Sequence, residues 1–390
     1  MIVQVKKILK DLVGFDTTSH LSNLELIAYI QDYLGQRGIL SELVPNEEGT
    51  KANLYATIGD ASVPGLVLSG HTDVVPVTGQ PWSSDPFELL EVDEKLYGRG
   101  TCDMKGYIAV CLAMTDTFIA AKMPVPIHYS FSYDEEIGCI GVRDLIEKLD
   151  HLLVKPLGCI VGEPTNMQCI GAHKGLLHSK CSVKGCPGHS SAPDKGVNAI
   201  FQATKLVAML QEIGDDIKQN GPFDHRFEPP YSTVHVGTIS GGVALNIIPQ
   251  NCEFEFEFRN IPSHDVRPYL QQLEDHAEKQ LLPAMQSVST DTGFRWDTEV
   301  GMALDTPDDD DFSLWIRQIL VSNQASSAVS YGTEAGMFSE IGIPTVVCGP
   351  GSIDQAHRPN EFVEISELQA CIDFLHLCIA DIDSQNWINQ

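Results

Sequence analysis

Cys252-Glu253-Phe254-Glu255-Phe256-Glu257-Phe258 alternates without a break, three phenylalanines on one side and three glutamates on the other. Successive side chains of a β-strand point to opposite faces, so this run is a strand with one apolar and one wet face. Such a sheet is antiparallel more often than parallel. Two amphipathic helical patterns flank it. Residues 197–213 carry Ile200, Ala203, Val207 and Leu210 on one side, and residues 265–281 carry Val266, Leu270, Leu273 and Ala277. Together they predict a separate α+β layer. Outward from it the pattern changes. Residues 22–34 read as a helix opened by a capping box, Ser22 with Glu25, and Gly38 closes the segment. Short apolar runs at 53–58, 66–69 and 127–133 read as strands, and 107–121 and 142–149 as helices. This alternation predicts an α/β sheet covered on both faces. From Asp305 onward a helix, a strand at 343–348 and a C-terminal helix return to that style, with acidic residues 308–311 at the helix start, where negative charge suits the dipole. The expected division is 1–177 and 303–390 in one domain, with 178–302 inserted.

The chain has 390 residues, 43% of them hydrophobic, enough for two or three packed cores. Its 25 basic and 53 acidic residues leave a net charge of −28, which speaks against nucleic acid or an anionic membrane as partner and for a small molecule. Apolar runs fall well short of the ~18 residues that span a bilayer. Met1 to Lys10 lacks the apolar block of a signal peptide, so a cytoplasmic chain is expected. Eleven cysteines, without a C-x-x-C pair, read as reduced core thiols.

Five segments place metal-type ligands at strand ends: Ser69-Gly-His71-Thr-Asp73, Gly98-Arg-Gly-Thr-Cys-Asp103-Met-Lys-Gly106, Asp134-Glu135-Glu136, Gly162-Glu163-Pro-Thr165 and Ala356-His357-Arg-Pro-Asn360. A lone histidine after an apolar strand is more often a satisfied core or surface residue than a ligand. Two imidazoles with three carboxylates, however, form a mixed N/O set that suits Zn²⁺, Co²⁺ or Mn²⁺, and a pair of ions better than one. Glu135 and Glu136 point to opposite sides as strand neighbours, so one can ligate while the other handles water. His71-x-Asp73 has the spacing at which a carboxylate orients a ligating imidazole. A thiolate nucleophile at Cys102 is disfavoured, because the adjacent acid raises a thiol pKa.

Read in order, these segments resemble the signature set of the M20 family of dinuclear zinc amidohydrolases and peptidases, and the resemblance spans essentially the whole chain. It is carried by Ser69-Gly-His-Thr-Asp-Val-Val-Pro76, Trp82-Ser-Ser-Asp-Pro-Phe87, Leu96-Tyr-Gly-Arg-Gly-Thr-Cys-Asp-Met-Lys-Gly106, Gly162-Glu-Pro-Thr165 and His173-Lys-Gly175. The resemblance implies a zinc-peptidase-like mixed-sheet catalytic domain (1–177 and 303–390) with an inserted ferredoxin-like α+β lid and dimerisation domain (178–302). It implies two divalent metal ions per subunit, Zn²⁺ foremost and Co²⁺ next. His71 and Glu163 would bind one ion, Glu136 and His357 the other, and Asp103 would bridge both. Glu135 would be the general base and Asp73 would orient His71. In the inserted layer, His189 would reach the active site of a homodimer partner, while Asn246 and Arg259 would hold substrate. For an isolated sequence, the plain alternative for Arg259 is a surface salt bridge. Gly332 and Thr333 would donate to a substrate carboxylate, and Glu334 would meet a cationic amine. Glu163, where peptidases of the family often carry Asp, leans toward the deacylase branch. The expected reaction is hydrolysis of an N-acyl amino acid, N²-acetyl-L-ornithine foremost, to the free amino acid and acetate. The alternatives are succinyl-diaminopimelate, another acyl amino acid or a peptide as substrate, and a metal-free binding protein.

Overall fold

The computed structural model describes residues 1–322 and 324–383. They form two compact units, the first from residues 1–172, 304–322, 324–328 and 333–383, and the second from His173–Ala303 with Val329–Gly332. In the first unit the described residues build a nine-stranded mixed sheet. Its centre is parallel: Leu66–His71 lies between Ile127–Ser132 and Gly158–Val161, and Thr345–Val347 follows Gly158–Val161 in the same direction. All four strands are fully buried, as strands covered on both faces must be. Ser41–Pro45 and Ala52–Ile58 extend the sheet antiparallel on one side, and Ile170–His173 on the other.

Parallel strands end at the same edge, so the segments after Leu66–His71, Ile127–Ser132 and Gly158–Val161 emerge together. That edge is where open α/β sheets bind ligands. The helix Lys105–Ala121 is buried on every side from Lys105 through Thr115 and packs against Ile2–Val13 and Ile365–Asp383. A Cβ at Gly162 would lie 2.1 Å from the Tyr107 ring of that helix, so only glycine lets the chain turn there toward Glu163.

The second unit is a four-stranded antiparallel sheet in the order Thr233–Gly241, Asn251–Asn260, Gly175–Lys184, Gly293–Gly301. The chain order, strand-helix-strand-strand-helix-strand, makes it ferredoxin-like. Phe254, Phe256 and Phe258 are at most 1% exposed beneath the helix Ala199–Asn220, and Glu253, Glu255 and Glu257 occupy the wet face.

Several boundaries differ from expectation. The second helix is Leu24–Gly35 with Asn23 at its N-cap, and no capping box forms. The Ser22 hydroxyl donates to Thr50 O while accepting from Leu24 N, and the Asn23 amide is spent on Ala52 O and Thr72 Oγ1. Tertiary partners outbid the local cap. The helix after the alternating strand starts at Arg267, and residues 277–281 form a π-helical turn. The opening helix Ile2–Val13, with Val5, Ile8, Leu9 and Leu12 inward, escaped the reading because its lysines mask the apolar stripe.

Candidate metal centre

Six ionisable side chains from five segments meet at the shared strand edge of the first unit. Asp103 is the hinge between them: Oδ1 lies 2.9 Å from His71 Nε2, and Oδ2 lies 3.3 Å from His357 Nε2. On the His71 side, Glu163 Oε1 is 3.5 Å from Nε2. On the other side, Glu136 Oε2 is 2.8 Å from His357 Nε2. His71, Glu135 and Glu163 can bring ligand atoms within 4.8 Å of one another, as can His71, Asp103 and Glu136. The His71 ring is fully enclosed, whereas the His357 side chain is 56% exposed.

Asp73 organises the cluster through more groups than its spacing suggests. His71 Nδ1 donates to the Asp73 backbone carbonyl at 2.9 Å, which leaves Nε2 facing Asp103, while the Asp73 carboxylate is 3.5 Å from Nδ1. That carboxylate accepts from Glu135 N at 3.1 Å, Glu136 N at 3.3 Å and the Ser19 hydroxyl at 2.8 Å. It therefore grips the backbone that carries both glutamates. Lys51 Nζ, 2.7 Å from Asp134 Oδ2, pins the residue before them, which has a left-handed backbone (φ 54°). The Cys139 thiol donates to Glu135 Oε1 at 3.3 Å.

The electrostatics call for cations. Burial pushes the carboxyls of Glu135, Glu136 and Glu163 above their ordinary range, and repulsion among the glutamates and Asp103 adds to it. Burial pulls the His71 imidazole down, yet Glu163, Asp103 and Asp73 together drive it well above its usual value. Hydrogen bonds to Asp103 and Glu136 raise His357 to about 10. Glu136 Oε1 and Glu163 Oε1 are buried without a hydrogen-bond partner. Orphaned carboxylate oxygens beside imidazole nitrogens are what a divalent cation would satisfy, and the mixed N/O donor set fits Zn²⁺ or Co²⁺.

The remaining expected residues divide between the two units. Glu334 does not face a substrate amine. It is fully buried, and its two oxygens accept from the Ser69 and Ser132 hydroxyls, both at 2.6 Å. It bolts together two central strands just below the ligands. Thr333 is 4% exposed, and its hydroxyl oxygen accepts from Ala335 N. His189, Asn246, Arg259 and Gly332 belong to the second unit. There His189 and Asn246 are neighbours, for Ser190 N donates to Asn246 O and His189 bridges to Ile247. His189 is exposed, and its Nδ1 accepts from Ser191 N. Arg259 forms an ion pair with Glu257 at 3.0 Å. Sequence reasoning missed Ser19, Lys51, Arg99 and Glu361. Glu361 directly follows the fifth ligand segment and Arg99 lies within the second, and that adjacency was the available signal.

The profile described as Peptidase family M20/M25/M40 matches residues 67–381. The chain is 35% identical to the acetylornithine deacetylase of Myxococcus xanthus over 385 residues, covering 95% of this chain and 96% of that one. It is 35% identical to the acetylornithine deacetylase of Pasteurella multocida over 350 residues, 88% and 87% of the two chains. Among solved structures, the M20 family metallo-carboxypeptidase Sso-CP2 from Sulfolobus solfataricus matches with a TM-score of 0.78 at 18% identity, over 98% of this chain and 99% of that one. The YXEP protein of Bacillus subtilis, a dinuclear metal binding peptidase, matches with a TM-score of 0.61 at 14% identity, over 98% of each chain. At such identities the two structures establish the fold.

Proposed function

We propose, from the premise that the chain belongs to peptidase family M20/M25/M40, that it hydrolyses N²-acetyl-L-ornithine to L-ornithine and acetate. The hydrolytic chemistry rests on one observation, Asp103 presenting one oxygen to each of two histidines with Glu135 alongside. The substrate rests on the likeness to acetylornithine deacetylases over 88–95% of the chain. His71 and Glu163 would hold one cation, Glu136 and His357 the other, and Asp103 both, with Zn²⁺ the first choice and Co²⁺ the second. Bound divalent cations lower the pKa of water and polarise an amide carbonyl. Glu135 takes the proton from the attacking water and passes it to the departing amine. Asp73 keeps Glu135 and Glu136 apart through their amides, and it fixes His71 through its own carbonyl.

The second unit serves as lid and dimerisation domain of a homodimer. Its outer strand Thr233–Gly241 carries exposed Ile239, with Phe201, Val243 and Leu245 exposed as well, and an edge unpaired among the described residues and rich in apolar side chains suits a second copy of itself. His189 acts across that dimer. Ser191 N and Ser191 Oγ both engage Nδ1, which leaves Nε2 to meet an oxyanion. Asn246 and Arg259 hold the substrate from the same layer, and Gly332 and Thr333 meet its carboxylate. No described helix is long and apolar enough to cross a membrane. All eleven cysteines are unpaired, in keeping with a reducing cytoplasm, and the likeness to acetylornithine deacetylases favours a place in arginine biosynthesis.

The test compares turnover of N²-acetyl-L-ornithine, N-acetyl-L-methionine, N-succinyl-diaminopimelate and a dipeptide, before and after chelation and after return of Zn²⁺ or Co²⁺. The reading requires acetylornithine to be preferred, activity to vanish on metal removal and to return with metal. Full activity in protein shown by mass spectrometry to be metal-free would end it.

A further inference from the structure

Trp82 to Phe87 and Glu361 take no part in the chemistry above, yet both are tied to the loops that carry its ligands. The short strand Phe362–Glu364 pairs antiparallel with Lys95–Tyr97, Phe362 opposite Tyr97. The loop that leads to Asp103 and the loop that follows His357 therefore run side by side, and Gly98 N donates to Glu361 O at 3.0 Å. The Glu361 side chain is enclosed between them, the residue being 1% exposed. Oε1 accepts from Cys102 N at 2.8 Å and Asp103 N at 3.0 Å. Oε2 accepts from Gly100 N at 3.1 Å and Arg99 Nη1 at 2.7 Å. Four donors converge on one carboxylate, three of them amides of the loop that presents Asp103, so the loop is wrapped around an anion as backbone nests are.

Arg99, also 1% exposed, extends the chain of contacts. Its Nη2 donates to Gln80 Oε1 at 2.6 Å, which also accepts from Trp82 Nε1 at 3.1 Å. With that oxygen doubly occupied, the Gln80 amide turns its Nε2 to His357 O, at 3.0 Å. His357 has φ 62°, a left-handed conformation that a residue bearing a Cβ keeps only when its surroundings hold it. The contacts thus run unbroken from the Asp103 amide through Glu361, Arg99 and Gln80 to the His357 carbonyl.

We infer that Glu361, Arg99 and Gln80 are positioning residues that set the separation of Asp103 and His357, and that Gln80 governs the Glu136–His357 cation position alone. The inference rests on the two-cation reading above. The asymmetry follows from the fold. His71 and Glu163 stand at the ends of central strands whose register is locked by parallel pairing, and they need no further tie. His357 stands on a loop and is 56% exposed; Arg99 Nη1, 3.4 Å from Arg358 O, and Ser83 N on Asn360 Oδ1 hold the residues after it, and the Gln80 amide holds the carbonyl of His357 itself.

The experiment titrates Co²⁺ into chelator-stripped wild type, Gln80→Ala, Gln80→Glu and Glu361→Gln, following heat and visible absorption, with bound metal counted by mass spectrometry. Wild type should take up two ions. Gln80→Ala should keep one at wild-type affinity and bind the other 10- to 100-fold more weakly, the range for residues that orient ligands. Gln80→Glu keeps the acceptor for Arg99 but sets a carboxylate oxygen against the His357 carbonyl, so it should show the same selective loss. Glu361→Gln sets an amide against backbone donors and should weaken both ions, because Asp103 faces both histidines. Two ions bound to both Gln80 variants with wild-type affinity would overturn the inference, as would equal weakening of the two. If wild type itself binds fewer than two, the two-cation reading fails instead. Gln80 is only half-buried, and near-ultraviolet circular dichroism confirms that each variant is folded before titration.

Discussion

Glu135 and Glu136 are adjacent in the chain, but their carboxylates join different groups: Glu135 lies with His71 and Glu163, and Glu136 contacts His357. A base and a ligand fail differently when neutralised. Glu135→Gln should keep near-normal metal content and lose about 10²- to 10⁴-fold in kcat. Glu136→Gln should lose metal first, and mass spectrometry of the dialysed variants separates the two. Identical behaviour would undo the division of the pair. Glu334 poses a second question at this scale. A carboxylate that binds a substrate amine raises KM when neutralised, whereas one enclosed by two serine hydroxyls does not. Glu334→Gln should therefore leave KM for acetylornithine within about threefold while destabilising the fold by roughly 1–3 kcal/mol, the cost of a disturbed buried hydrogen bond. Calorimetric melting and steady-state kinetics on one preparation decide between these outcomes.

At the scale of elements, the strand Gly158–Val161 delivers Glu163 only because Gly162 passes beneath Tyr107 of the helix Lys105–Ala121. Gly162→Ala inserts a methyl group where no room exists, and it should lower stability by about 1–3 kcal/mol, read as a fall in melting temperature. The neighbouring strand Ile127–Ser132 carries His128, 6% exposed, stacked on Tyr55 and paired with Thr57 Oγ1 at 2.9 Å. Burial pulls its pKa down to about 4. Between that value and the ordinary one near 6.5 the unfolded chain binds a proton that the fold refuses, so stability falls as pH drops through the window, by up to about 3 kcal/mol. In His128→Gln the acid-unfolding midpoint should move to lower pH. Part of the effect will remain, because buried His173 is likewise held at about 4. An unchanged midpoint would show that His128 does not titrate with unfolding.

For the whole molecule the decisive question is whether His189 works in a neighbouring subunit. His189→Ala and Glu135→Gln should each be nearly inactive alone, the former by about 10²-fold or more as for other oxyanion donors. Mixed under conditions that exchange subunits, they form heterodimers in which one site lacks both groups and the other keeps both. Activity should then reappear, approaching a quarter of wild type at equal mixing if subunits pair at random. No recovery despite heterodimers seen by native mass spectrometry would place His189 in its own chain or outside the chemistry.

The amino-acid sequence by itself determined the two layers, because periods of two and 3.6 residues survive without tertiary help. Phe254, Phe256 and Phe258 announce their sheet whatever packs against it. Which residues gather was legible in part: His71 and Glu163 follow buried strands, as their segments announce, whereas Asp103 precedes the helix Lys105–Ala121 and His357 follows a 3₁₀ turn, and only the family resemblance joined them to the set. What only the tertiary structure decided is how those residues are held. Ser22 forfeits its capping role to Thr50, Asp73 acts on amides 62 and 63 residues away, and Glu334 reaches Ser69 across 265 positions. Glu361 closes on the Asp103 loop across 258. None of these contacts has a periodicity or a fixed spacing. Each arises because a buried polar group must find a partner wherever the folded chain supplies one, and local sequence carries no record of that address.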